Sequence, residues 1–178
     1  MGSSFPYVPL RIVVDTREQH PYAFEKYPEA EIIRHGLKTG DYSLAGYEDR
    51  MALERKSLDD LIGCLTTGRD RFERELERAR ALDLFAVIVE ASVEDVKRGR
   101  YRSKLNPHAA LQSVIAFQVR YGTSFVWAGS RAGGEYMAYG LLEKYRREKE
   151  GHGEALAASG TEGASKRTRA ARRERMDN

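Results

Sequence analysis

The sequence predicts an α/β domain in which a mixed central sheet carries helices on both faces. Three observations support this. Short apolar or β-branched runs at residues 10–15, 31–35, 84–90 and 124–127 have the length of strands. Segments at 69–82 and 107–121 repeat apolar residues at helical spacing. Their order is strand, strand, hairpin, helices, then strand and helix in alternation, which implies a layered sheet rather than a helical bundle or an all-β sandwich.

Residues 1–9 carry two prolines and no periodicity, so an irregular lead-in is expected. The first strand ends at Asp15. Residues 16–28 hold turn formers and two more prolines and read as loop, with a turn of helix around 23–27. After the second strand, Gly40-Asp41 opens a hairpin. Its arms are 42–45 and 50–56, and its turn is 46–49. Ser57-x-x-Asp60 has capping-box spacing and starts a helix whose Leu58, Leu61, Ile62 and Leu65 recur at helical intervals. The next helix presents Phe72, Leu76, Ala79 and Leu82 on one stripe. The run 84–90 is almost continuously apolar, as suits a strand covered on both faces. Ser92-x-x-Asp95 caps a short helix, and Asn106-Pro107 gives the N-cap and first-turn proline of a longer one. A final helix is expected from Ser130 to about Lys149, with a weak start at Gly133-Gly134. The domain-sized unit is thus 10–150. The remainder, 151–178, reads as a flexible basic tail. Its last fifteen residues carry six cations (Lys166, Arg167, Arg169, Arg172, Arg173, Arg175) against two carboxylates.

Composition narrows the function. The 178 residues are 41% hydrophobic and 32% charged, with a net charge of +3, compatible with a nucleic-acid partner. No apolar run reaches the length of a membrane span, and no signal-peptide pattern opens the chain, so an intracellular protein is expected. The single cysteine, Cys64, rules out an intrachain disulfide and a cysteine zinc site. The four histidines show no ligand spacing and read as ordinary side chains.

The hairpin carries the chemistry. If its turn centres between Tyr47 and Glu48, Asp41 lies across from Glu54. Glu54 and Lys56, two apart, then project from the same face, and Arg55 from the other. Asp15, ending a neighbouring strand, would approach the same point. Converging carboxylates suit a divalent cation with oxygen ligands: Mg²⁺, with Mn²⁺ as the alternative, and no small-molecule cofactor. Such an ion would polarise a phosphate and activate water, while the lysine would stabilise charge in the transition state. Asp60 also has a purely structural reading as a capping residue. Arg69 and Arg71 have one as solvated helix charges.

Gly40-Asp41, a gap, then Glu54-Arg55-Lys56-Ser57-Leu58-Asp59-Asp60 resembles the signature of the XPF-type structure-specific nucleases. Val13-Val14-Asp15-Thr16-Arg17-Glu18 resembles that family's first strand. Asp60-Leu61-Ile62-Gly63 and Thr67-Gly68-Arg69 resemble its following helix and turn. The resemblance spans about 10–150. It implies a restriction-endonuclease-like core and metal-dependent cleavage of duplex DNA near a junction, flap or fork. Asp41 and Glu54 would be metal ligands, joined by Asp15, and Lys56 the catalytic lysine. Asp15, Arg55 and Asp60 would complete or brace the site. Arg17 and Arg69 would contact DNA, with Lys166, Arg167, Arg169, Arg172 and Arg173 of the tail adding phosphate attraction. A homodimer through apolar stripes at 111–119 and 137–142 is expected as well. The family's tandem helix-hairpin-helix module is not seen in this sequence, so the DNA shape is left open. The compartment would be the cytoplasm, near the nucleoid, for a bacterial or phage protein, and the nucleus for a eukaryotic one. Two other readings stand beside this one: a catalytically silent nuclease-like partner subunit, and a general restriction-type or exonucleolytic enzyme.

Overall fold

Six strands form one mixed sheet in the order β2-β1-β3-β4-β5-β6. The computed structural model describes residues 9–151. The strands are β1 (Leu10–Val14), β2 (Ala30–Arg34), β3 (Tyr42–Leu44), β4 (Met51–Lys56), β5 (Leu84–Val89) and β6 (Ser124–Trp127). The helices are α1 (Leu58–Leu65), α2 (Arg69–Ala79), α3 (Val93–Lys97) and α4 (Pro107–Tyr121), followed by α5 over 131–142. The chain divides into two compact units, Met1–Leu142 and Glu143–Asn178. In the second unit, residues 143–151 are helical. The tail cations expected to attract phosphate, Lys166 to Arg173, lie outside the described residues, as does most of the lead-in.

The sheet is antiparallel at its centre and parallel towards both edges. β3 runs antiparallel to β1 and β4, whereas β1 pairs with β2, and β5 with β4 and β6, in parallel. The hairpin is the switch: a tight turn reverses the chain, and each parallel pair needs a crossover. β5 is buried at all but its first residue, as its unbroken apolar run predicts.

Alternation sends successive residues of β4 to opposite layers. Ala52 joins the core of Leu61, Ile62, Phe72, Leu76, Val87, Val89, Val114 and Phe117, beneath α1, α2 and α4. Phe72 and Phe117 meet edge to face at 5.9 Å there. On the other face, Tyr22, Phe24 and Tyr42 cluster, with Tyr22 and Tyr42 stacked at 5.2 Å. Helix α5 lies on this side, since Tyr139 stacks on Tyr27 at 3.6 Å and hydrogen-bonds Glu29. The expected turn of helix at 23–27 is not formed. Phe24 instead takes a positive φ of 54°, while its ring stays buried.

Two local details differ from expectation. The glycine pair 133–134, read as a weak helix start, is a close-packing site. A side chain at Gly133 would meet the carbonyl of Ala128 at 2.1 Å, and one at Gly134 would meet the Tyr22 hydroxyl at 2.2 Å. The two stripes expected as dimer contacts also divide. Ala138 and Leu142 are fully buried, whereas Ile115 and Val119 of α4 are 49% and 83% exposed.

Candidate active site

The hairpin sets the register of the site. Tyr42 pairs with Leu53, and the amide of Asp41 donates to the carbonyl of Leu53 at 2.8 Å. Asp41 is therefore the neighbour of Glu54 across the pair, as the assumed turn requires. Gly40 makes this entry possible. It adopts φ +80°, and a side chain there would sit 2.9 Å from both Ala52 Cβ and the Leu53 carbonyl.

Asp41, Glu54 and Lys56 meet at the wall of a cavity of about 690 Å³, which Arg17, Glu18, Asp59, Asp60, Cys64 and Arg71 also line. Asp41 Oδ2 accepts the Arg55 backbone N–H at 2.8 Å. Lys56 Nζ bonds Glu54 Oε1, and its ammonium lies 5.5 Å from the Phe72 ring centre. Among the described residues, no donor contacts Asp41 Oδ1 or Glu54 Oε2. Glu54 is 6% exposed. Burial pushes its carboxyl up to about 8, with the charge of Asp41 adding to the shift. Burial pushes Asp41 up to about 7 against the Arg55 N–H, and Glu18 and Glu75 add to the rise. Burial works against the Lys56 ammonium, but Glu54 outweighs it and its pKa rises.

By register, Asp15, Asp41 and Glu54 form a row across β1, β3 and β4, because the Asp15 amide donates to the Asp41 carbonyl. Asp15 was expected among the metal ligands, and in the structure its carboxylate is engaged by the protein. Its carboxylate accepts four bonds: Arg17 N, Nε and Nη2 at 2.7, 2.8 and 3.0 Å, and Leu37 N at 2.6 Å. Burial would raise its pKa, but these bonds hold it below the ordinary value. Among the described residues, no group of three or more His, Cys, Asp or Glu is placed to hold a metal. Asp15 instead braces the loop that carries Arg17.

The other expected site residues separate by role. Arg55 points to the opposite face, where its guanidinium binds Glu90 at 2.8 and 3.1 Å. Asp60 is bonded to the N-cap of α1: its amide donates to Ser57 Oγ at 3.2 Å, and Ser57 Oγ returns a bond to its carboxylate. It lines the cavity as well. Arg17 is on the rim but is bound to Asp15 and to the Leu37 carbonyl. Arg69, expected as a DNA contact, joins α2 to α4. It bonds Glu73 at 2.9 Å and Ser113 at 3.4 Å, and lies 4.8 Å from the Phe117 ring centre. The exposed cation on the cavity wall of α2 is Arg71, two residues on. Sequence reasoning left Glu18 and Glu75 out of the site, although both act on Asp41. Glu18 closes the first-strand motif, whereas Glu75 carried no sequence signal.

The two carboxylates fit a hard divalent cation. They are oxygen donors, they repel each other, and each keeps an oxygen without a protein donor beside an open cavity. Three ligands from the protein are not required, because Mg²⁺ commonly uses one or two carboxylates with water and substrate oxygens.

This sheet, with its acidic hairpin under a helical layer, has a restriction-endonuclease-like fold. More narrowly, the chain belongs to the ERCC4 domain family, which residues 14–138 match, and it is an XPF-type nuclease domain. XPF from Aeropyrum pernix superposes with a TM-score of 0.63 at 24% identity, over 77% of this chain and 65% of that one. XPF from Aeropyrum pernix in complex with DNA gives 0.59 at 24% identity, over 78% and 66%. This chain thus spans less than two thirds of those proteins. None of the curated proteins compared matches the sequence. Among the described residues, no helix is long and apolar enough to cross a membrane.

Proposed function

We propose that the protein is a divalent-metal-dependent DNA endonuclease that hydrolyses phosphodiester bonds in branched, flap or forked duplexes. The observation that carries this reading is the convergence of Asp41, Glu54 and Lys56 on one cavity wall within a nuclease fold. Asp41 and Glu54 would hold Mg²⁺ or Mn²⁺. When bound, such an ion polarises the scissile phosphate and lowers the pKa of water. Lys56, kept charged by Glu54, sets a fixed cation where negative charge builds on the phosphoryl oxygens. The Arg55 amide fixes Asp41, so the carboxylate pair is held by backbone as well as side chains. Arg71 adds a cation to the same wall and fits a neighbouring phosphate. A silent partner subunit would have no use for this triad, and the chain keeps all three residues. A homodimer would be expected to use the exposed Ile115 and Val119 of α4.

The test is cleavage of end-labelled linear duplex, flap, fork and four-way junction, with Mg²⁺ and with EDTA. Mg²⁺-dependent internal incision near the branch is expected. Stepwise shortening from ends would favour the exonuclease alternative, and no cleavage of any substrate would remove the enzyme reading.

The buried carboxylates also predict a pH effect on stability. In the absence of divalent ions, their folded values of about 7 and about 8 lie above their ordinary values of 3.8 and 4.5. An acid raised on folding stabilises the native state at low pH. The contribution is complete below about 4 and is lost as pH rises through about 7 to 8. The two groups titrate as a pair. The melting temperature in EDTA is expected to fall over that window, and to fall less in the double variant Asp41→Asn, Glu54→Gln. An identical slope in both proteins would contradict the assignment.

A further inference from the structure

We propose that the turn over 97–104 is a docking surface for the phosphate backbone of duplex DNA beside the catalytic cavity; this rests on the DNA nuclease reading above. Within eight residues the turn carries Lys97, Arg98, Arg100, Arg102 and Lys104, and no acidic residue. All five cations are exposed.

The turn is firmly built. Gly99 takes φ +62° and ends α3. Arg100 bonds Asp95 through its guanidinium at 2.7 Å and through its amide, which reaches the Asp95 carbonyl at 3.0 Å. The Tyr101 hydroxyl donates to the Leu105 carbonyl at 2.8 Å. Arg102 bonds Asp59 with both its amide and its Nε, each at 2.9 Å. Asp59 lies on the cavity wall with Asp60. The turn is therefore fastened to the first turn of α1, next to the site, and its backbone is set before any ligand arrives.

Two of the arginines, Arg100 and Arg102, thus serve the turn itself. The remaining three cations are available. Lys97 and Arg98 share the single carboxylate of Glu94, at 3.8 and 3.0 Å, and both are more than half exposed. Lys104 has no ion-pair partner among the described residues. Exposed pairs of this kind contribute little to stability and exchange readily for phosphate oxygens. Exposed cations on a fixed turn beside a phosphodiester-cleaving cavity fit a duplex arm running past the site, contacted through its backbone and without regard to sequence.

The experiment measures binding of the full chain to a short labelled duplex by fluorescence anisotropy, in Ca²⁺ so that cleavage does not interfere, from about 50 to about 200 mM salt. Three triple variants are compared with wild type. Lys97→Gln with Arg98→Gln and Lys104→Gln removes the proposed contacts. Lys26→Gln with Arg78→Gln and Arg80→Gln removes the same charge elsewhere. Lys97→Arg with Arg98→Lys and Lys104→Arg keeps the charge in place. The first is expected to bind more weakly and to flatten the plot of log K against log salt by about 2 to 3, at about 0.9 per phosphate contact. The other two are expected to keep nearly the wild-type slope. An unchanged slope in the first variant, or an equal change in the second, overturns the docking surface. Failure of the wild type to bind duplex at all would remove this proposal, while the nuclease reading stands or falls on the cleavage test above.

Discussion

Glu54→Gln is expected to lose at least about a hundredfold in single-turnover cleavage of a flap substrate, with no loss of the folded state. The lower bound follows from metal sites in general, where outer-shell partners alone are worth about 10- to 100-fold. Glutamine keeps the size of the side chain and removes the charge that a cation and Lys56 both require. Asp41→Asn is expected to behave alike, and asparagine is a cleaner choice than alanine. Its side-chain oxygen can still accept the Arg55 amide, a bond whose loss would leave a buried donor at a cost of about 1–3 kcal/mol. Each variant should melt cooperatively and retain duplex binding. Cleavage near the wild-type rate by either protein would show that the chemistry is elsewhere.

That test rests on residues that were legible in the sequence, and the reason is local geometry. A hairpin register follows from the turn alone, so the Asp41–Glu54 pairing could be placed without knowing the fold. The caps of α1 and α4 were also legible, because Ser57 with Asp60, and Asn106 with Pro107, act within three residues. The fold class followed from strand and helix periods. Side-chain partners set by tertiary approach were not legible. The Leu37 amide that binds Asp15 is 22 residues away, out of reach of a local reading. The approach of Arg69 to Ser113 and Phe117, across the helix layer, was equally out of reach. The pairing of Asp59 with Arg102, 43 residues distant, has no local sign in the sequence. Glycines 133 and 134 resembled a defect until Ala128 and Tyr22 were seen against them. Sequence period fixes which face a residue occupies. Which neighbour takes its polar atoms depends on packing between distant elements.

Glu90 shows that same limit and gives the largest expected effect on stability. Its side chain is 9% exposed and receives Arg55 through two bonds, at 2.8 and 3.1 Å, and Arg131 at 3.2 Å. Arg131 also bonds the carbonyls of His20 and Pro21 at 2.9 and 2.7 Å, which joins the loop after β1 to the start of α5. Glu90→Ala would leave the Arg55 guanidinium, itself 11% exposed, with Glu18 at 3.8 Å as its remaining acidic neighbour. Breaking a buried pair from one side costs about 3–5 kcal/mol, because the remaining charge is stranded away from water. A loss of about 3 kcal/mol is expected in urea unfolding, at the lower end because Glu18 gives partial compensation. Removing both charges, as in Glu90→Ala with Arg55→Met, should recover much of that loss, since no buried ion remains. The consequence reaches the catalytic face through the main chain: the Arg55 amide holds Asp41 while its side chain is anchored on the opposite face. Glu90→Ala is therefore also expected to slow cleavage, although Glu90 does not line the cavity. If the single variant is as stable as wild type, or the double variant no better than the single, the Arg55–Glu90 pair is not what braces β4.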